Sequence, residues 1–385
     1  MRSLSKGAER LRGNAAFDVL ARAKDLEKKG KKILHFEIGE PDFDTPRHIS
    51  DAAVEALHQG KTHYVNSYGI PELRKAICDE VEKTRGFRPD MDQVLVTPGA
   101  NPIIFFAASC LVEQSQNIAL QDPGFLTYYS VLQYTGIKGN LVTLKEENEF
   151  RLDPEDLNQV IDDNTRLIVV NSPSNPTGGV MTKAEIERVA EIAEEKDLYL
   201  LSDEIYSKMT YDRPFHTPSI RDECKERTII LDGFSKAYAM TGWRLGYAVG
   251  PKKVIEKMGM LLQATVSCTP DFLQYGAIAA LEGSQYVDKM MAEFTERRNV
   301  LISGLNSIPS LSCVNPQGAF YAFPNITKTG MNSKEFADFA LDELGIALLP
   351  GTAFGPGGEG YVRLSYATGI DKIKEAIERL KAGLE

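Results

Sequence analysis

At 385 residues the chain exceeds the usual size of one compact domain, so two unequal domains are expected. With 43% hydrophobic and 25% charged residues it reads as an ordinary soluble globular protein, large enough to need no staples. A formal net charge of −10 argues against a nucleic-acid partner, yet leaves room for a locally positive pocket that takes small anions.

The N-terminal Met-Arg-Ser-Leu-Ser-Lys shows no apolar signal core, and the longest apolar stretch, Ile103 to Val112, is too short to cross a bilayer. Cys78, Cys110, Cys224, Cys268 and Cys313 are scattered and form no CxxC. They suggest free thiols in a reducing cytoplasm rather than a disulfide framework or a zinc site. The histidines show no metal-ligand spacing either, so no metal is expected.

Residues 1–45 are expected to form an arm that packs on a smaller domain, 46–284 a large ligand-binding domain, and 285–385 the small C-terminal domain. Within the large domain, short apolar runs alternate with helical periodicity, the pattern of a mostly parallel α/β sheet. The runs Val94–Thr97, Ile118–Gln121, Leu167–Val170, Leu198–Leu201 and Thr228–Leu231 predict buried strands. Thr182-Lys-Ala-Glu185 predicts a capping box opening a helix to about Lys196. From about Gln285 the pattern changes to long helices and a few strands, including Gly360–Ser365. Gly355-Pro-Gly-Gly-Glu-Gly360 spells G-x-G-x-x-G but precedes a strand, so it reads as a loop and not a dinucleotide fingerprint.

Asp122, Asn175, Asp203 and Lys236 each follow a strand within a few residues, and in open α/β sheets ligands bind outside those strand ends. Phe234-Ser-Lys236-Ala-Tyr-Ala-Met-Thr-Gly-Trp-Arg244-Leu-Gly246 delivers a lysine into a turn with an arginine eight residues on. A desolvated lysine can condense with an aldehyde, and an arginine fork suits a phosphate. Thr97-Pro-Gly-Ala-Asn-Pro-Ile103 reads as strand, glycine turn and helix start, whose free N–H groups attract anions. Taken alone, Asp203 caps the next helix just as readily, Tyr206 and Phe125 belong to the core, and Arg363 pairs with a neighbouring carboxylate.

Together these motifs resemble the class I/II aminotransferases, pyridoxal-phosphate enzymes of fold type I in the aspartate-aminotransferase-like subgroup. The likeness runs from Gly39-Glu-Pro-Asp-Phe43 to Val362-Arg-Leu-Ser-Tyr-Ala367, with the motifs in order. It implies a mostly parallel seven-stranded sheet between helices, a smaller α+β domain, and pyridoxal 5′-phosphate carried covalently by Lys236. It further implies that Asp203 pairs with the pyridine nitrogen and that Tyr206 and Asn175 hold the phenolic oxygen. Gly99, Ala100, Asn101, Ser235 and Arg244 would hold the phosphate, and Phe125 would stack on the ring. Gly39, Asn175 and Arg363 would grip the substrate carboxylate. Tyr64, in Thr62-His-Tyr64, would reach a neighbouring subunit's phosphate, which implies a homodimer with shared sites.

Gly233 stands where many relatives carry serine, so one phosphate contact is expected to be missing. Asn101 stands where a lysine often meets a distal carboxylate. A neutral or aromatic amino donor with 2-oxoglutarate as acceptor is therefore expected. A β-elimination lyase would share every cofactor contact, and a regulatory protein would be expected to lose some of them.

Overall fold

Seven strands form the main sheet, in the order β2-β8-β7-β6-β5-β3-β4. They are β2 (Val94–Thr97), β3 (Asn117–Asp122), β4 (Lys138–Thr143), β5 (Thr165–Asn171), β6 (Tyr199–Asp203), β7 (Thr228–Gly233) and β8 (Gly246–Val249), preceded in the chain by β1 (Leu34–His35). Only β8 runs against its neighbours. This computed structural model describes residues 3–13, 15–283 and 285–385.

The central strands are apolar runs because both of their faces are covered. Alternate side chains point to opposite sides. Leu95, Leu167, Val169, Leu201 and Leu231 meet Ile103, Ile104 and Met258 on one face. Ile168, Val170 and Leu200 meet Ile186, Val189 and Ile192 of the helix Lys183–Glu195 on the other. That helix starts as expected, with Thr182 and Glu185 forming the reciprocal capping box.

Two strands of the main sheet escaped the sequence reading. β4 lies at the sheet edge, is mostly half-exposed, and carries polar residues instead of an apolar run. β8 is fully buried but only four residues long, squeezed between β2 and β7 after a glycine turn.

A second, three-stranded antiparallel sheet joins β11 (Leu349–Pro350), β12 (Val362–Ser365) and β9 (Tyr321–Ala322). Next to it, β1 pairs in parallel with β10 (Ile346–Ala347). The core here gathers Leu34, Phe36, Phe294, Leu301, Phe320, Ile346 and Ile373, so residues from both ends of the chain share it. The helix Ala15–Lys28 docks against this region through Ala23, which packs with Ile33, Leu341 and Ala347, while Arg22 pairs with Asp338 and Asp342.

A buried ion cluster ties the main sheet to the helix Pro71–Arg85. Arg85 Nε donates to Glu204 at 3.0 Å, and its Nη2 bonds Asp232. Burial draws the arginine's pKa down, but Asp232 and Glu204 draw it up further, so it is held charged. Glu204 follows β6 and Asp232 lies in β7, so one cation fixes the ends of two strands.

Candidate active site

After β4 the chain returns past β3 to lay down β5, so the strand order reverses between β3 and β5. A crevice opens there at the strands' carboxyl ends, as the doubly wound topology requires. It encloses about 520 Å³ and is lined by Asn171, Asn175, Asp203, Tyr206, Ser235 and Lys236 from the main sheet's loops, with Gly39, Tyr321 and Arg363 opposite.

Lys236 enters this crevice three residues after β7 ends at Gly233. A Cβ at Gly233 would come within 2.9 Å of the Gly246 Cα, so the glycine lets β8 lie close. The Lys236 Nζ donates to the Gly39 carbonyl at 2.5 Å. Burial, with the Arg363 charge next, brings its pKa down from 10.5 to about 8. The result is an amine that is unprotonated in an appreciable fraction of molecules near neutrality.

Asp203, at the end of β6, is 3% exposed and accepts a hydrogen bond from the Tyr128 hydroxyl at 2.6 Å. Burial lifts its pKa to about 7, against the lowering effect of Tyr128. Among the described residues no cation forms an ion pair with it. A carboxylate so placed favours a proton or a cationic partner. Tyr206 bonds Tyr321 hydroxyl to hydroxyl at 2.6 Å, and burial raises the pKa of both phenols.

Arg363, in β12, is 3% exposed. Its Nη1 donates to the Asn175 side-chain oxygen at 3.3 Å and its Nη2 to the Glu37 carbonyl. The guanidinium lies 4.6 Å from the Tyr321 ring centre, and burial lowers its pKa. The Nε has no partner among the described residues. A buried donor left unmade is costly, so the fork suits an anion entering the crevice.

A glycine turn and the Arg244 guanidinium meet at the start of the helix Asn101–Leu111. Gly99 adopts φ +87°, and a Cβ there would run into the Arg244 guanidinium. Arg244 Nη1 donates to the Thr241 carbonyl at 2.9 Å. Ala100 and Asn101 line the crevice beside it, with Ser235 across. Phe125 also lines it, its ring edge-on to Tyr128 with centres 5.7 Å apart. Gly99 underlies this turn without facing the cavity.

Tyr64 is not brought to the crevice within one chain. It is 88% exposed and borders a separate surface hollow with Thr62, His63, Cys268 and Pro270.

Several residues in the crevice lining, or bonded to it, were not found from the sequence. Tyr321 follows the apolar run Ala319-Phe320 and carries no chemical signature of its own. Tyr128 lies one helical turn after Phe125, a spacing that could have flagged it. Asn171 starts the motif in which only Asn175 was singled out, and its amide donates to the Asp203 carbonyl at 3.1 Å. Glu40, bonded by Thr241 at 2.9 Å, was passed over beside Gly39.

An amine lowered toward neutrality, a buried carboxylate and two arginine forks around one crevice make an enzyme site for anionic compounds that react with amines. The family model for aminotransferases of class I and II matches residues 31–380. The aspartate aminotransferase of Pyrococcus horikoshii is 41% identical over 360 residues, covering 93% of this chain and 92% of the relative. The aromatic-amino-acid aminotransferase 2 of Thermococcus litoralis is 41% identical over 367 residues, covering 94% of each. The solved structure of Thermus thermophilus aspartate aminotransferase with maleate superposes with a TM-score of 0.95 at 35% identity, over 100% of both chains. The chain belongs to the class I and II aminotransferases. It is a transaminase, moving amino groups between amino acids and 2-oxo acids, and the lyase and non-catalytic alternatives are not favoured. Among the described residues no helix is long and apolar enough to cross a membrane.

Proposed function

We propose that Lys236 carries pyridoxal 5′-phosphate, the cofactor on which this family depends, and that the enzyme transfers the amino group of an aromatic or neutral amino acid to 2-oxoglutarate. The observation that carries the reading is the Lys236 amine, brought down to about 8 in a crevice that also holds a buried, cation-seeking Asp203.

The donor set fits the cofactor. Asp203 suits a protonated pyridine nitrogen, Asn175 and Tyr206 suit a phenolic oxygen, and Phe125 supplies an aromatic face. Arg244, Ser235 and the backbone of Gly99, Ala100 and Asn101 suit a phosphate. When bound, the cofactor supplies an aldehyde for amines and a cationic ring that withdraws electrons from the substrate Cα. Arg363, with Asn175 and the Gly39 backbone, fixes the substrate carboxylate and so orients the Cα–H bond. Once the substrate amine has displaced it from the cofactor, the freed Lys236 Nζ would take that proton as general base and return it as acid. Asp203 holds its proton-sharing partner charged throughout. Both half-reactions use the same residues, so ping-pong kinetics follow.

Curated relatives are named for aspartate and for aromatic amino acids, and the uncharged Asn101 favours the latter as donors. We assign the cofactor-holding body to residues 46–284 and the substrate-closing body to 1–45 with 285–385. The free thiols of Cys78, Cys110, Cys224, Cys268 and Cys313 suit a cytoplasmic enzyme. Tyr64, being exposed, is free to reach the phosphate of a second subunit, and a homodimer with shared sites is part of this reading. Borohydride reduction followed by peptide mass spectrometry tests the core of this reading. The modification is expected on Lys236 and absent from Lys236→Ala; attachment elsewhere, or nowhere, overturns it.

A further inference from the structure

We propose that Lys24 binds the distal carboxylate of dicarboxylic substrates, a role that rests on the crevice being the transaminase site described above. The helix Ala15–Lys28 presents two faces. Val19, Ala23 and Leu26 are spaced i, i+4, i+7 and pack with Ile33, Leu341 and Ala347, which anchors the helix. Arg22 adds its pairs to Asp338 and Asp342. A separate stripe, Phe17, Leu20 and Lys24, lines the crevice.

Among the described residues the crevice has four cationic side chains in its lining: Lys24, Lys236, Arg244 and Arg363. Three are engaged, Lys236 by the Gly39 carbonyl, Arg244 by the Thr241 carbonyl, and Arg363 by Asn175 and the Glu37 carbonyl. Lys24 makes no hydrogen bond or ion pair with any described residue. Its exposed position on the anchored helix leaves the ammonium hydrated and free until an anion arrives. Asn101 brings no charge to the opposite wall. Glu40, which would repel a dianion, is held by Thr241.

The same stripe explains how a second substrate without a distal charge is accommodated. Phe17, 64% exposed, and Leu20 offer apolar surface beside the lysine. The flexible lysine stem lets the ammonium move back into solvent while its methylenes cover an aromatic ring. A movable cation of this kind lets one crevice alternate an aromatic and a dicarboxylic partner.

The test compares wild-type holoenzyme with Lys24→Met, which keeps the stem and removes the charge, and with Lys24→Arg, which restores charge. The KM for 2-oxoglutarate and for phenylpyruvate is measured. Dissociation constants of succinate and 3-phenylpropionate, which cannot react, are read by calorimetry. Lys24→Met is expected to weaken 2-oxoglutarate and succinate by roughly tenfold, the scale of one charge-assisted contact. Phenylpyruvate and 3-phenylpropionate should be unaffected, and Lys24→Arg should recover most of the loss. Equal effects on both classes, or none on either, overturn the assignment of Lys24 while leaving the site reading intact. A wild-type enzyme that turns over neither oxo acid overturns both.

Discussion

Asp203 shows how one buried group ties chemistry to stability. An unfolded chain gives up this proton near 3.8, whereas the folded protein keeps it to about 7. Between those values the folded form binds more protons, so in cofactor-free protein stability falls as pH climbs through that window. Asp203→Asn should flatten the slope and stabilise the cofactor-free form at about pH 8, by up to roughly 4 kcal/mol. Urea denaturation at about pH 5 and about pH 8 reads it directly, and an unchanged slope would remove Asp203 as its source. This residue was visible in the sequence because a carboxylate directly after a strand stands out. Tyr128 and Tyr321 were not, because aromatic residues are abundant in cores. Their meaning comes only from partners distant in the chain, Asp203 for one and Tyr206 for the other.

Among the elements, the turn from β2 into the helix Asn101–Leu111 is the most constrained. The positive φ of Gly99 and the Arg244 guanidinium against it leave no room for a side chain. Gly99→Ala should therefore cost about 1–3 kcal/mol of stability and displace Arg244. Affinity for pyridoxal phosphate should fall with it. Thermal melts and cofactor titration together check this, and a variant that binds as tightly as wild type would refute the proposed anion cradle. β2, although at one edge of the sheet, was legible to the residue, since all four of its positions are buried and three of them are apolar. β4, at the opposite edge, was not, because all but one of its residues are half-exposed or exposed and its composition follows water as much as pairing.

Across the whole molecule, long-range order passes through a few buried polar joints. Arg85 joins the helix Pro71–Arg85 to Glu204 and Asp232, all of them buried. Arg85→Met would leave two carboxylates without their cation, and a loss of about 3–5 kcal/mol is expected. Adding Glu204→Gln and Asp232→Asn should recover part of it. Chemical denaturation of the single and triple variants measures both, and a single-variant loss below about 1 kcal/mol would show the joint to be incidental. No local pattern announced this cluster, because each member lies in a segment with its own local explanation.

The crevice draws its two walls from different stretches of sequence. The amine, the buried carboxylate and the anion cradle come from residues 99–244, whereas Phe17, Leu20, Lys24, Gly39, Tyr321 and Arg363 come from nearer the two termini. On the proposed roles, the reacting groups lie in the middle of the polypeptide, whereas substrate choice is shared between its flanks and Asn101 and Asn175 of that middle stretch. Mutational drift in the flanks can redraw the menu while the engine stays as it was, and selectivity libraries belong on residues 16–40 before any other segment.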